Sequence, residues 1–402
     1  MPAFQPRLDY QTAGESHGPA LITTITGLPA GLELDLDLIN GELRRRQGGY
    51  GRGGRQKLET DVVEFLCGVR LGKTIGAPLV VKIANRDSRL DDLERTPPVH
   101  RPRPGHADLA GSVKWLTTDC RETLERASAR ETASRTAAGA IARCLLRDLF
   151  GVEVFGFVRQ ILDARTDVSV TPENWRSLIE ARDGSDTYTL DEQTTEKQRA
   201  IIRQAKTDKD TVGGHVECHV FGCPPGIGSS MDWTTKLDAR IAYAVMGIQA
   251  FKAVQIGAGV RAGETHGSEL HDPIFYDAKQ MDEPTLGFTR PTNNAGGTEG
   301  GMTNGMPVVV TGTMKPIATL LRGLPSVNLN SKKSEESQYE RSDVAAVSAA
   351  SVVMENAVAF EVARLFLDKF GGDSVIETET NFRSYMEYAR SLPLGDSEMT
   401  IA

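Results

Sequence analysis

The spacing of hydrophobic residues divides the chain into short strands and long helices. Alternating or β-branched runs bounded by glycine, proline or polar residues predict strands. These runs cover residues 20–27, 61–68, 78–83, 152–162 and 306–313. Ala-rich runs closed by glycine predict three long helices, over residues 121–150, 232–257 and 344–370. Because these helices have few polar positions, we expect them to form an interior layer.

A short predicted helix, residues 35–46, leads into a segment rich in arginine and glycine. Residues 44–55 contain five arginines and five glycines, in a chain whose formal net charge is −8. Guanidinium groups suit carboxylate and phosphate oxygens, and glycine lets the backbone approach a ligand closely. We interpret Arg44 and Arg45 as solvated residues that complement the helix dipole. The residues interpreted as anion-binding are Arg46, Arg52 and Arg55.

Two histidines lie in constrained turns. His17 is bracketed by glycines within residues 14–18, just before a predicted strand. His106 lies near the end of a long loop, residues 85–114, that is dense in charge and proline. Histidine titrates near neutral pH, so either residue could donate a proton. The alternative for each is an ordinary turn histidine.

Two further segments suit a flat or an anionic ligand. Residues 126–140 are almost all small, with Arg126 and Arg130 on one face of the predicted helix. Either a flat ligand or a second helix could lie close to that face. Residues 293–305 form a glycine- and asparagine-rich loop whose backbone N–H groups suit a phosphate or the edge of a ring. Asp343 precedes the third long helix, where capping is its default role.

One short motif could bind a metal. His215, Glu217 and His219 alternate in a predicted strand and would share one face. Two histidines and a carboxylate are suitable zinc ligands, but no second cluster supports them. We therefore favour a solvent-exposed face for these three residues and predict no metal site.

Length and composition narrow the class of protein. The chain has 402 residues and a mass of 43.6 kDa, with 39% hydrophobic and 25% charged residues, as in a globular protein. Its five cysteines are odd in number and widely spaced, which indicates a reducing compartment rather than a disulfide framework. No apolar run approaches the roughly 20 residues of a membrane span. We predict a cytoplasmic protein, with the polar residues 183–211 as a mobile insertion.

Three separated motifs together resemble the chorismate synthase family. They are Gly14-Glu15-Ser16-His17-Gly18, the run Arg126 to Thr132 that continues to Gly139-Ala140, and Arg341-Ser342-Asp343 with the Ala-rich helix behind it. The arginine-glycine stretch, the residues around His106, Gly296-Gly297 with Gly300-Gly301, and Lys315-Pro316 match the family in the same order. Each motif alone is weak, but the ordered set is specific and spans essentially the whole chain.

The resemblance implies a fold, a reaction and a cofactor. The expected fold is a single α+β domain over residues 1–402, a β-α-β sandwich with long Ala-rich helices between two antiparallel sheets, assembled as a homotetramer. The expected reaction is the anti 1,4-elimination that converts 5-enolpyruvylshikimate 3-phosphate to chorismate and phosphate in the shikimate pathway of aromatic amino acid biosynthesis. It requires reduced FMN (FMNH2), although it involves no net redox change.

The resemblance also implies roles for individual residues. His17 would protonate the departing phosphate, His106 would lie by the reduced flavin, and Asp343 would lie near flavin N5 and help to pass on the abstracted proton. The residues expected to bind the anionic substrate are Arg46, Arg52, Arg55, Arg103, Arg130 and Arg341. The residues expected to bind the flavin are Ser128, Ala129, Arg130, Gln249, Ala250, Gly300, Lys315, Pro316, Ile317, Ala318, Thr319 and Arg341.

Some family members reduce their own flavin with NADPH. The chain has no separate nucleotide-binding segment that would indicate NADP use, so we expect a separate flavin reductase as a partner. The family's Gly-Asp-Ser-x-Gly-Gly appears here as Lys209-Asp210-Thr211-Val212-Gly213-Gly214.

Two alternative functions stay open at this point. One is a flavin-dependent oxidoreductase acting on a phosphorylated acid. The other is an RNA-binding arginine-glycine segment, which the net acidic charge disfavours, so we expect neither a nucleic acid nor a membrane as partner.

Overall fold

The computed structural model describes residues 6–53, 59–340 and 343–394. The helices are α1 (Leu36–Gln47), α2 (Asp108–Lys114), α3 (Arg121–Arg126), α4 (Thr132–Phe150), α5 (Trp175–Gly184), α6 (Glu192–Thr207), α7 (Leu237–Met246), α8 (Gly267–Leu270), α9 (Val347–Phe370) and α10 (Val375–Arg390). The strands are β1 (Asp9–Ala13), β2 (Ala20–Thr26), β3 (Glu64–Cys67), β4 (Val69–Arg70), β5 (Lys73–Thr74), β6 (Leu79–Ala84), β7 (Glu153–Ile161), β8 (Ala164–Arg165), β9 (Gly214–Phe221), β10 (Phe251–Ile256), β11 (Phe275–Tyr276), β12 (Phe288–Thr289), β13 (Thr298–Glu299), β14 (Met302–Thr303), β15 (Val308–Met314), β16 (Pro325–Val327) and β17 (Ser334–Glu336). Within these residues, no helix is long and apolar enough to cross a membrane.

Two antiparallel sheets enclose a layer of helices. One sheet has the strand order β1-β2-β6-β3 and the other the order β10-β15-β9-β7-β8. Along β2 and β15 buried and partly exposed residues alternate, as expected for strands with one face on a core. Helix α4 packs on β2, and α9 packs on β7 and β9. The predicted α+β sandwich is therefore confirmed.

Helices α4 and α9 run side by side in the same direction through this layer. Gly139 touches Asn356 near the middle of both helices, and the Phe150 ring lies 4.6 Å from the Phe366 ring near their C-terminal ends. Almost every residue of α9 is buried, so the expected interior layer of Ala-rich helices is confirmed for α4 and α9. Their parallel direction places both N-terminal ends at the same edge of the layer.

The stretch predicted as one helix over residues 121–150 is broken. Helix α3 ends at Arg126, and Ser128 has extended backbone angles, with its side chain accepting a hydrogen bond from the Arg130 N–H. Serine competes in this way with helical hydrogen bonds, which the small-residue pattern does not reveal. Arg126 and Arg130 therefore do not share a helix face, and this part of the prediction was wrong.

The helix predicted over residues 232–257 is also wrong in its second half. Helix α7 ends at Met246, and residues 251–256 form strand β10 at the edge of the five-stranded sheet. Between them Ala250 adopts a φ of 69°, a left-handed conformation that ends helical propagation. Pairing with β15 overrides the helical propensity of the Ala-rich sequence here.

Residues 166–207 cover the outer face of the five-stranded sheet. Gln198 and Ile202 of α6 are buried, so residues 183–211 contain a packed helix, and their mobility stays a prediction. Trp175 of α5 stacks on Phe221 in a small aromatic cluster. Helix α10 was not predicted, although the pair Ser374 and Glu377 that caps its start is readable in the sequence.

The possible metal motif lies beneath this cover. His215, Glu217 and His219 do share one strand face, but Glu217 and His219 are buried, so the expected solvent exposure was wrong. Arg159 holds both carboxylate oxygens of Glu217 at 2.6 and 2.8 Å, and His219 Nε2 lies 2.7 Å from Glu217 Oε1. No group of residues suited to a metal ion is found in the part of the chain that the structure describes.

The contact between α4 and α9 should be sensitive to a single methyl group. A Cβ added at Gly139 would lie 2.1 Å from the Asn356 carbonyl oxygen, so Gly139→Ala must separate the helices. We expect a loss of about 1–3 kcal/mol in the free energy of unfolding, measured by chemical denaturation. Gly184→Ala is the control, since nothing lies within 4 Å of its added Cβ. Equal stability of the two variants would contradict the tight contact.

Candidate active site

One cavity of about 480 Å³ collects most of the predicted functional residues. It lies at the N-terminal ends of α4 and α9, and its walls come from segments far apart in the sequence. The predicted catalytic residues and four of the predicted arginines line it: His17, His106, Asp343, Arg46, Arg52, Arg103 and Arg130. The predicted flavin contacts that line it are Ser128, Ala129, Arg130, Gln249, Ala250, Lys315, Ile317, Ala318 and Thr319.

Four predicted residues are not among those that line the cavity. Gly300 lies in the turn between β13 and β14, with a φ of 61°, and its nearest side-chain neighbour is Ser230. Pro316 separates two lining residues without lining the cavity itself. Arg55 and Arg341 lie outside the described residues.

Arg46 and Arg130 share one buried carboxylate. Arg46 donates to Asp61 Oδ2 at 2.8 Å, and Arg130 donates to both Asp61 oxygens at 2.7 and 2.8 Å. Arg130 also donates to the side-chain oxygen of Asn85 at 2.8 Å. Burial acts to raise the pKa of Asp61, but the charges and hydrogen bonds of the two arginines outweigh burial and leave that pKa lowered. Asp61 thus stays ionised and fixes both guanidinium groups.

Arg103 and His106 are held by a second buried carboxylate, Asp108. Arg103 donates to Asp108 through Nε at 2.8 Å and through its terminal nitrogen at 3.0 Å, and a third nitrogen reaches Thr319 at 2.9 Å. His106 Nδ1 also hydrogen-bonds to Asp108. Although burial acts to raise the pKa of Asp108, the hydrogen bonds from His106 and Arg103 lower it overall. With Nδ1 engaged, Nε2 is the ring nitrogen of His106 that can meet a ligand.

Asp343 does not cap the third long helix. Helix α9 begins at Val347, after Ala346, and its start has no side-chain cap. Instead, Asp343 accepts a hydrogen bond from the Gly53 N–H at 2.6 Å and pairs with Arg52 at 3.0 Å. The default interpretation of Asp343 as a helix cap was therefore wrong, and its carboxylate faces the arginine-glycine stretch at the cavity.

His17 is oriented by Glu125. Its Nδ1 lies 2.9 and 3.0 Å from the two Glu125 oxygens, and its backbone N–H donates to Glu125 at 2.8 Å. Burial acts to raise the pKa of Glu125, but the contacts with His17 lower it overall. On the other side of the ring, Nε2 lies 3.3 Å from a terminal nitrogen of Arg89 and 3.8 Å from Asp87.

The sequence did not point to the residues that hold this site. These residues are Asp61, Glu125, Asp87 and Arg89. Asp87 and Arg89 lie in the charge-dense loop and the other two lie elsewhere in the chain, so only folding brings them to the predicted residues. Asp108 follows His106 by two residues, and this spacing gave no sign that its carboxylate would hold both His106 and Arg103.

One arginine near the site was interpreted wrongly. Arg44 is exposed, as predicted, whereas the Arg45 side chain is only 16% exposed. Arg45 donates to Glu42 at 2.7 Å and to Glu355 at 3.1 Å. It belongs to a buried ionic cluster beneath α1 and is not a solvated residue at the helix end.

Part of the cavity wall consists of small, uncharged side chains. Small side chains from the break before α4 and from the first turn of α9 form it: Ala127, Ser128, Ala129, Ala346, Ala349 and Ala350. At its edge Gln249 donates to Glu131 at 2.9 Å, and the Gln249 side-chain oxygen is buried without a hydrogen-bond partner among the described residues. Burial, together with the charge of Lys252, lowers the pKa of Lys315. This wall can accept a planar ring that donates a hydrogen bond at its edge.

Comparison with known proteins gives one consistent match. Residues 8–367 match the family model described as chorismate synthase. The chain is 48% identical over 392 residues to a chorismate synthase of Geotalea uraniireducens, covering 95% of this chain and 99% of that protein. It is 48% identical over 396 residues to that of Geobacter sulfurreducens, covering 96% and 100%. A crystal structure of chorismate synthase superposes with a TM-score of 0.77 at 36% identity and covers 96% of this chain and 99% of that one.

Loss of the Asp61 charge should destabilise the protein in a pH-dependent way. In Asp61→Asn two buried guanidinium groups lose their carboxylate, and we expect a loss of roughly 3–5 kcal/mol in the free energy of unfolding at pH 7. Because the folded-state pKa of Asp61 is lowered, its contribution is present above the unfolded-state pKa and disappears as the pH falls. The difference from wild type should therefore shrink below about pH 4.

Denaturation measured across this pH range tests the expectation. Asp282→Asn is the control, because Asp282 is exposed and lies 3.7 Å from Arg390, and it should change stability by less than about 0.5 kcal/mol at any pH. An Asp61→Asn deficit that does not vary with pH would show that Asp61 acts through packing rather than charge.

Proposed function

The chain belongs to the chorismate synthase family, lyases of the shikimate pathway, and on that premise we propose that it converts 5-enolpyruvylshikimate 3-phosphate to chorismate and phosphate with reduced FMN. The observation that carries the proposal is that His17, His106 and Asp343 line one cavity together with four of the predicted arginines. These residues come from widely separated parts of the chain. A purely structural role would not require these residues to meet at one cavity.

The cavity suits an anion for two reasons. Arg46, Arg52, Arg103 and Arg130 present planar guanidinium groups to it, which match carboxylate and phosphate oxygens. The N-terminal ends of α4 and α9 both flank it, and their partial positive charges favour an anion there. The positive potential of these groups would attract a substrate with two carboxylates and a phosphate. We assign Arg55 and Arg341 to substrate binding as well, and Arg341 also to the flavin, on the family resemblance alone.

The cavity also fits a flavin. Its volume lies within the range of cofactor sites, and its small-residue wall leaves space for a planar ring. We propose that Ser128, Ala129, Gln249, Ala250 and Lys315 to Thr319 hold FMN, with the unpartnered Gln249 oxygen accepting from the ring edge. Gly300 stays a proposed contact without a place in the cavity wall. When bound there, reduced FMN would supply electron density and a proton acceptor to the reacting ring.

The two histidines divide the proton chemistry between them. Glu125 holds His17 by Nδ1, so Nε2 is the nitrogen that can deliver a proton to the departing phosphate oxygen. Asp108 holds His106 in the same way, and Nε2 of His106 then supports the charge of the reduced flavin. In both cases a buried carboxylate fixes the orientation of the ring and leaves Nε2 facing the cavity.

Asp343 is proposed to accept and pass on the proton taken from the substrate ring. Its carboxylate accepts a hydrogen bond from the Gly53 N–H and pairs with Arg52. A carboxylate fixed in this way can accept a proton without a large change in position. We propose that Asp343 relays the proton away from the flavin toward solvent.

The cellular setting follows from the same premise. We propose a cytoplasmic homotetramer that receives reduced FMN from a separate flavin reductase. The cysteines in the described residues are all free thiols, which fits a reducing compartment. Exposed Met231, Trp233 and Tyr243 on and beside α7 provide apolar surface that association of subunits would cover.

Removal of either histidine should slow turnover while leaving substrate bound. We expect His17→Ala and His106→Ala each to lower kcat by roughly 10²- to 10⁴-fold, the range for loss of general acid or base help, with small changes in KM. His100→Ala is the control, since His100 lies on the same loop as His106 but outside the cavity wall, and it should behave as wild type. Near-normal turnover in His17→Ala or His106→Ala would remove that residue from the mechanism.

The reaction itself is tested without oxygen. The chain is mixed with photoreduced FMN and 5-enolpyruvylshikimate 3-phosphate, and chorismate absorbance is followed together with the flavin spectrum. We expect many turnovers with the flavin still reduced at the end, because the elimination consumes no electrons. Stoichiometric flavin oxidation would instead indicate an oxidoreductase. A repeat with oxidised FMN and NADPH should give no chorismate, and activity there would contradict the need for a separate reductase.

A further inference from the structure

Arg89 is held more weakly than Arg46, Arg103 and Arg130, which line the same cavity. Arg46, Arg103 and Arg130 each donate to a fully buried carboxylate at 2.7–3.0 Å. Both hydrogen bonds of the Arg89 guanidinium are long, at 3.3 Å to His17 Nε2 and 3.4 Å to the Arg95 carbonyl oxygen.

The remaining nitrogen of Arg89, Nε, has no hydrogen-bond partner among the described residues. It is buried and lies 3.2 Å from Asp87 Oδ1, but without the alignment of a hydrogen bond. The Arg89 side chain is 20% exposed, so it lies at the cavity surface and not behind it. A guanidinium has five N–H donors, and with one hydrogen bond at each terminal nitrogen Arg89 keeps one N–H on each of them for a ligand.

The contact with His17 restricts the state of that ring. Arginine is only a donor, so its terminal nitrogen can hydrogen-bond to His17 Nε2 only when Nε2 carries no proton. The proton of the neutral ring is then on Nδ1, where it is donated to Glu125. While Arg89 occupies Nε2, that nitrogen can neither carry nor deliver a proton.

We propose that Arg89 is a phosphate-binding residue that leaves His17 Nε2 when phosphate enters the cavity. This inference rests on the proposed function, in which a phosphate departs beside His17. A phosphate oxygen offers the guanidinium a charge-assisted hydrogen bond, which is stronger than its bond to a neutral imidazole. The same movement leaves Nε2 free to face the phosphate.

The charged groups around His17 are consistent with such an exchange. Glu125 contacts Nδ1, and Arg121 lies 3.5 Å from Glu125, so this side stays paired whatever Arg89 does. On the Nε2 side, Asp87 is the nearby carboxylate and would repel a phosphate. Asp87 and Arg89 both line the cavity and lie 3.2 Å apart, so the charge of Arg89 offsets that repulsion.

The test measures binding of inorganic phosphate to the full chain by calorimetry, together with KM and kcat for 5-enolpyruvylshikimate 3-phosphate. Arg89→Gln should weaken phosphate binding and raise KM by roughly 10- to 100-fold, the range for a hydrogen bond to a charged group. We expect kcat to change far less than KM, because the same contact is made in substrate and transition state. Arg89→Lys should restore part of the affinity, since lysine keeps the charge but lacks the fork.

Arg95→Gln is the matched control. Arg95 lies on the same loop and 3.5 Å from the same Asp87 oxygen, but its side chain is 57% exposed and does not line the cavity. It should bind phosphate within roughly twofold of wild type, because an exposed pair contributes little. Equal losses in Arg89→Gln and Arg95→Gln would show only a general electrostatic effect and overturn the proposal.

Two further results would also overturn it. One is a wild-type chain that binds no phosphate at millimolar concentration, and the other is an Arg89→Gln variant that binds phosphate like wild type. A crystal structure with phosphate should show Arg89 on a phosphate oxygen, and a retained contact with His17 Nε2 would disprove the exchange. Because the titration needs neither flavin nor turnover, absence of chorismate formation would contradict the proposed function without deciding this test.

Discussion

The close parallel packing of α4 and α9 is the constraint on which the rest of the structure depends. The two backbones approach so closely that Gly139 has no space for a Cβ beside Asn356. Helix α4 packs mainly on the four-stranded sheet and α9 mainly on the five-stranded sheet, so this contact helps to set the separation of the two sheets. It also fixes the place of the active site, since both helices begin at the cavity. Their aligned N-terminal ends contribute a positive potential without any ionisable group.

The arginines at the cavity are not a set of free cations. Asp61, Asp108 and Asp343 each bind one or two of them, and Glu125 does the same for a histidine. Buried carboxylates of this kind reduce the net charge available to a ligand, but they hold each guanidinium in one orientation. Preorganised donors need no rearrangement during the reaction, which is the main way in which electrostatic groups accelerate it. The site therefore combines modest net charge with fixed geometry.

The backbone around the small-residue wall of the cavity has features of a functional site. Ala250 has a φ of 69°, a conformation costly for a residue with a Cβ, and its carbonyl oxygen accepts from the Lys315 N–H at 2.9 Å. The break at Ser128 similarly interrupts what the sequence would continue as a helix. Both irregularities expose small side chains and backbone to the cavity. Regular helices at these two places would fill the space that a planar ring needs.

The sequence by itself determined the secondary structure wherever periodicity was strong and caps were local. Strands β2, β6, β7 and β15 were predicted from runs of alternating or β-branched residues. Helices α1 and α9 were predicted from polar residues at their starts and closing glycines, and α9 also from its alanine content. The motifs around His17, His106 and Asp343 also identified the family, and with it the sandwich of helices between two sheets. Secondary structure of this kind is encoded by neighbouring residues, and the family is identified by the order of its motifs.

Only the tertiary structure decided which groups act together. Asp61 reaches Arg130 across 69 positions and Glu125 reaches His17 across 108, and no local spacing connects such pairs. Other features depend in the same way on neighbours supplied by distant segments. They are the burial of Arg45 and of Glu217, the strand at residues 251–256, and the place of Arg89 beside His17. Local sequence records the preference of each residue for helix, strand or surface, whereas the partner of a buried charge is set by packing in three dimensions.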